Sequence, residues 1–224
     1  MWAQFGEMIM KKYELTEQTK RFRGRKLFRI ICVKAFASVS AGELGGWIES
    51  ESNLSQAGEA WVSGEAKVFD EAWVFGNAKV SGEAQVFRNA WVSNNAEVSD
   101  NAEVSDNANV LDNTKVFGKA KVFGNAKVSG NAEVSDDAWV SGKAEVYDNA
   151  KAHGNAEVSQ NAKVFGNAEI CDNAWVHDNA KVHGNAKVSG EANVYDNAVM
   201  FGNVWVSGNA KVSGEANVYA NINV

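Results

Sequence analysis

The 224-residue chain contains no proline, two cysteines and three histidines. Without proline, its turns depend on other residues that accept left-handed backbone angles. Cys32 and Cys171 are too few and too distant for a disulfide framework or a metal-ligand cluster, so a reducing cytoplasm is the default setting. No apolar run approaches the roughly 18–20 residues that span a membrane. No continuous apolar stretch follows a basic start, as a secretory leader requires. Beyond the N-terminal segment the only threonine is Thr114, which excludes the flat threonine array of an ice-binding surface.

What the chain has instead is one six-residue unit, Ala-x-Val-x-(Gly/Asp)-Asn, as in Ala126-Lys127-Val128-Ser129-Gly130-Asn131. Every sixth position from Ala60 to Ile222 gives 28 slots, of which 25 hold Ala; the exceptions are Thr114, Val204 and Ile222. The slots from Val62 to Val224 hold Val in 25 of 28, the exceptions being Ala152, Ile170 and Met200. Ala and Val lie two apart and face the same way on an extended strand, while the residue between them faces outward. Gly, Asp or Asn then supplies a turn. A strict hexapeptide period predicts an all-β, single-stranded parallel β-helix with triangular 18-residue coils. A helix is excluded, because spacings of two and six make no 3.6-residue stripe.

Net charge is −6, divided as +6 over residues 1–34 (nine Lys/Arg, three Glu) and −12 over residues 35–224 (13 against 25). The acidic body has no general attraction for nucleic acid. The basic segment is expected to keep an edge strand soluble and unpaired, with an anion or acidic partner as the alternative. Residues 1–7 have no pattern and fit a tag or an upstream start. Residues 8–47 are expected to form a β-hairpin cap, with strands near Lys11–Thr16 and Leu27–Phe36 around Gly24, and residues 48–224 the β-helix. Ile48 and Leu54 are its first inward aliphatics. A two-residue insertion near Gln56 and Ala57 precedes the regular lattice. Ile222 replaces a small alanine and could plug the far end.

The segments Lys12-Tyr-Glu-Leu-Thr16, Ala41-Gly-Glu-Leu-Gly-Gly-Trp-Ile-Glu-Ser-Glu51 and Asn53-Leu-Ser55, followed by hexapeptides, resemble the YdcK-like proteins of enterobacteria, phages and prophages, often labelled hexapeptide-transferase-like or polymer-forming. The resemblance covers nearly the whole chain from Lys11. It implies a left-handed β-helix, a handedness the period alone does not show, and the host cytoplasm if the protein is phage-encoded. By the same resemblance to hexapeptide proteins, a homotrimer is the usual assembly. The family carries no settled activity to transfer.

Folding the sequence on 18 separates three outward faces. One alternates in sign through Lys79, Glu97, Lys115, Glu133, Lys151, Glu169 and Lys187, is flanked by a turn alternating Asp100, Gly118, Asp136, Gly154, Asp172 and Gly190, and is assigned to solvent. The second carries Phe69, Phe87, Phe123, Trp139, Trp175, His177 and Tyr195. The third is the most apolar. It starts with Trp73, Phe75 and Trp91 and ends with the ladder Tyr147, Phe165, His183, Phe201 and Tyr219 beside Lys163 and Lys181. Such a stripe either stiffens the sheet or forms an interface or ligand platform; Lys163, Lys181 and His183 beside it suit a planar anionic, nucleotide-like ligand.

These features point to a non-enzymatic binding or scaffold protein without a cofactor or metal, assembling through its aromatic face and sequestering a host protein or a small anionic ligand. The alternative is an acyltransferase with an acyl-CoA-like donor at a subunit interface, for which His153, His177 and His183 are the candidate bases. All three occupy a slot filled by Ser or Phe elsewhere, and no loop insertion is evident to wall a substrate pocket.

Overall fold

Nearly every Ala-x-Val unit becomes a two-residue strand, such as Lys127–Val128, and the turn after it holds one residue at positive φ. That residue is Asp or Gly in most coils: Asp100, Asp136 and Asp172 sit at φ 59°, 58° and 60°, and Gly118, Gly154 and Gly190 at 71°, 70° and 69°. Asp and Gly tolerate this region best, which explains the alternating turn. The aspartates also bridge coils: Asp100 Oδ2 accepts the Gly118 N–H at 3.1 Å, and Asp172 Oδ2 that of Gly190 at 2.9 Å.

A computed structural model describes residues 11–220; the expectations for residues 1–7 and for Ile222 lie outside it. Twenty-seven short strands, from Trp61–Val62 to Asn217–Ala220, stack into a triangular β-solenoid of about ten turns with 18 residues per turn. Its three walls are two parallel sheets of nine strands and one sheet of twelve, the last parallel except where its three cap strands pair antiparallel. We call them the Lys/Glu sheet, the aromatic sheet and the cap sheet. Register follows the 18-residue period: Glu97 pairs with Lys79 and Lys115, and Lys163 with Lys181. Successive coils are joined by bonds such as Lys127 N to Ala144 O at 2.9 Å.

The core is the two inward columns, buried from Ala60 to Met200. Each buried Val contributes about 1.5–3 kcal/mol before chain entropy is subtracted. The exceptions are compensated. Ala152 pairs with Ile170, so a lost volume in one coil adjoins a gained one in the next. Thr114 is buried in an alanine slot because its Oγ1 donates to Leu111 O at 2.9 Å.

The cap hairpin pairs β1 (Tyr13–Phe22) antiparallel with β2 (Arg25–Cys32), which pairs antiparallel with β3 (Leu44–Ile48). Strand β3 then pairs in parallel with Lys67–Val68 and so joins hairpin to solenoid. The Gly45-Gly46 pair is needed for this join. A Cβ on Gly45 would lie 2.5 Å from Ile30 Cγ1, and one on Gly46 2.8 Å from Ala66 O. The insertion near Gln56 anchors β1: Gln56 Oε1 accepts the Lys12 N–H at 2.8 Å, and Nε2 donates to Tyr13 O at 3.1 Å. The Tyr13 hydroxyl donates to Leu54 O at 2.6 Å, and the buried Lys12 Nζ to Ala60 O at 2.7 Å; burial pulls the Lys12 ammonium down to about 8.

The basic hairpin supplies the edge strand β1, the outermost of its sheet, and also binds the solenoid. Its charges are largely paired with carboxylates of the first coils: Lys20 and Arg29 with Glu65 at 2.7 and 3.0 Å, Arg25 with Asp70 at 2.6 Å and Glu49 at 3.3 Å. The opposite charges of the two regions thus meet inside one chain. Among the described residues, no helix is long and apolar enough to cross a membrane.

Candidate functional site

The aromatic sheet brings Trp73, Phe75 and Trp91 together near the cap. Trp73 stacks on Phe75 at 4.0 Å and meets Trp91 edge-on at 6.0 Å and 90°. Trp73 and Trp91 stay 38% and 46% exposed, on the last two strands at the cap end of the sheet. Toward the other end the predicted ladder is continuous. Tyr147–Phe165, Phe165–His183, His183–Phe201 and Phe201–Tyr219 stack at 4.9, 4.6, 5.5 and 5.1 Å, with planes within 2–18° of parallel. These spacings are the strand spacing, so the rings lie one per coil.

Ring planes parallel to one another along the stack have consequences for binding. The faces of Phe165, His183 and Phe201 are covered by their neighbours on both sides, leaving ring edges outward. A planar ligand therefore has no free face among these three inner rings. Burial raises the Tyr147 phenol and lowers the His183 imidazole, the latter pushed further by Lys181. Beside the ladder, Lys163 and Lys181 form a like-charge rung. Lys163 reaches Glu145 at 3.1 Å, and Lys181 has no ion-pair partner among the described residues.

The Lys/Glu sheet neutralises itself. Lys79–Glu97, Lys151–Glu133 and Lys187–Glu169 lie at 4.0, 3.1 and 2.7 Å. It is not all open to solvent, however. The cap loop at Ala37–Val39 walls a cleft of about 440 Å³ over Trp61, Ser63, Lys79 and Ser81. The sequence concealed this wall because the loop lies outside the repeat. None of the three histidines lines the cleft. On the cap sheet, Phe69 and Phe87 are buried under the hairpin, where Phe22 packs edge-on to Phe69 at 5.8 Å. Only Phe123, Trp139, Trp175, His177 and Tyr195 remain of that face's uncapped aromatics.

The histidines stand on three different sheets. His183 sits within the ladder. His177 is sandwiched between Trp175 and Tyr195 at 4.0 and 5.3 Å. His153 lies on the Lys/Glu sheet, its Nε2 3.1 Å from Glu169 Oε1. There a cluster forms that sequence reasoning missed. Donor atoms of His153, Glu169 and Cys171 all lie within 4.8 Å of one another. A count of two distant cysteines hides Cys171; its spacing of 18 from His153 is the available signal. The trio has the composition of a thiol–imidazole–carboxylate nucleophile site, but Cys171 is 3% exposed and burial raises its thiol, which opposes a reactive thiolate.

A second missed feature is an asparagine ladder at the corner between the aromatic and Lys/Glu sheets. Asn77, Asn95, Asn113, Asn131, Asn149, Asn167, Asn185 and Asn203 each pass one amide hydrogen bond to the next at 2.8–3.1 Å. The amides fasten every coil to its neighbour. No family model matches the chain, and no curated protein matches it. The geometry itself is that of a β-solenoid with 18-residue coils, consistent with a hexapeptide-repeat β-helix.

Proposed function

We propose that the protein is a non-enzymatic binding or scaffold protein that assembles through its aromatic sheet, with two further copies of itself as the first partners. The observation that carries this is the five-ring ladder, unbroken over five coils on the wall that also exposes Trp73 and Trp91; Trp139, Trp175 and Trp205 are exposed on the other two walls without such a ladder. Aromatic edges and indole faces set in a rigid sheet suit a protein interface. The likeness to YdcK-like phage and prophage proteins makes the cytoplasm of a host cell the setting and a host protein a further partner.

A small anionic ligand is the second reading, favoured by the Lys163–Lys181 rung. With the ring faces occupied, the anion would be held by charge and by ring edges. Acyl transfer has less support, because His153, His177 and His183 stand on separate walls of the same chain.

Native mass spectrometry of the purified protein, compared with its denatured mass, tests the proposal. A trimer agrees with it, and an additional reproducible small mass identifies the anion. A monomer at all concentrations contradicts it and leaves the ladder as a stiffener of the sheet.

A further inference from the structure

The column after the inward residue of the Lys/Glu sheet reads Ser63, Ser81, Ser99, Phe117, Ser135, His153, Cys171, Ser189, Ser207. His153 and Cys171 interrupt it in consecutive coils. Their strands pair directly, Lys151 with Glu169 and Ala152 with Ile170, which stacks imidazole and thiol about one strand spacing apart, roughly 4.8 Å. The same two coils hold the only departures from valine in the inward column of this sheet, Ala152 and Ile170. Inside and outside thus change together at one place in an otherwise repetitive wall.

We infer that His153, Glu169 and Cys171 form a binding site for a divalent transition-metal ion of the zinc type. The donor set is one imidazole nitrogen, one carboxylate oxygen and one sulfur, the mixture that suits borderline-soft ions and not calcium or magnesium. Metal–ligand bonds of about 2.0–2.3 Å place tetrahedral donors roughly 3.3–3.8 Å apart. His153 Nε2 and Glu169 Oε1 are already 3.1 Å apart, and all three donors fall within 4.8 Å. Modest rotations of the half-exposed His153 and Glu169 close the remainder. Cys171 is buried at the floor and the other two stand above it, which leaves the outer side for a water as fourth ligand. On the far side of the imidazole, Asp136 Oδ2 lies 4.0 Å from His153 Nδ1. That gap exceeds hydrogen-bond reach; a small rotation of either side chain would bring the carboxylate to a proton on Nδ1 and leave Nε2 to the metal.

Lys187 opposes the ion. Its Nζ lies 2.7 Å from Glu169 Oε1, the oxygen that also faces His153. The metal replaces that ammonium, which turns to solvent, and releases the Cys171 thiol proton to water as the Sγ–metal bond forms.

The test uses the full chain with Cys32→Ser, so that one thiol remains. The probes are Zn²⁺, followed by native mass, and Co²⁺, followed by its thiolate charge-transfer band. One metal per chain, a cobalt–thiolate band and protection of Cys171 from alkylation by Zn²⁺ are expected. Cys171→Ser and His153→Ala should each weaken binding at least about tenfold. Lys187→Met should tighten it. Circular dichroism confirms that each variant keeps its fold. Absence of stoichiometric metal in the parent, or equal binding in a folded Cys171→Ser variant, overturns the inference.

Discussion

The Lys/Glu sheet and the aromatic sheet are cut from the same coil and rest on the same alanine and valine columns, yet they present opposite surfaces. On the first, stacked neighbours alternate in sign and pair across coils. On the second, five rings stack in series and one rung repeats a positive charge. The inward half of the hexapeptide sets the fold, and the outward half is free to vary because strand alternation separates the two. The core does not require the aromatic wall to differ from the charged one, which is the ground for proposing it as the interface.

The largest test asks whether the inward halves are equal. Val134→Asp beneath the Lys/Glu sheet and Val164→Asp beneath the aromatic sheet should each destabilise by about 3–5 kcal/mol in urea unfolding, since each buries an unpaired charge. Marked tolerance of either would mean that the two walls do not share one core. The next test separates the outer halves. Trp91→Arg should weaken self-association by about 2 kcal/mol, roughly thirtyfold in dissociation constant, while Trp205→Arg on the Lys/Glu sheet should leave it unchanged by analytical ultracentrifugation. Equal effects would remove the distinction.

Within the single chain, Phe165→Ala breaks two stacked pairs and should lower stability by about 1–3 kcal/mol. Glu133→Gln on the Lys/Glu sheet should cost less than about 1 kcal/mol, and that loss should fade in high salt. The smallest effect is in acid. The His183 imidazole is lowered below 6.5, so the unfolded chain takes up the proton first, and stability falls as pH drops below 6.5 until the folded imidazole is itself protonated. Glu169 is held below 4.5, mainly by its bond from Lys187, so its contribution persists above 4.5 and is lost only as pH falls through the lowered value. Wild type and His183→Phe should therefore diverge in melting temperature below pH 6.5, before Glu169 begins to titrate.

The solenoid was legible because each hexapeptide states the same local rule, and 18-residue folding then gives every pairing, including Glu97 with Lys79 and the ring ladder. The hairpin around Gly24 was legible from its strand composition. The docking of the cap was not. Lys12, Gln56 and Arg25 find partners some 40 residues away without any period to announce them. Ring orientation was also hidden: sequence places the five aromatics in a column, and only coordinates reveal that they cover one another's faces. His153 and Glu169 are offset by 16, a diagonal contact that a search of straight 18-residue columns passes over. The asparagines were visible as turn residues, and their amide chain depends on side-chain rotation that no pattern records.

The most direct test of the two-wall account is hydroxyl-radical footprinting of the protein in solution over a range of concentrations. Trp73, Trp91 and Tyr219 should become protected as concentration rises, while the exposed Trp205 of the Lys/Glu sheet stays reactive. Equal reactivity of both sets at every concentration, following their exposure in the isolated chain, would contradict assembly through the aromatic sheet.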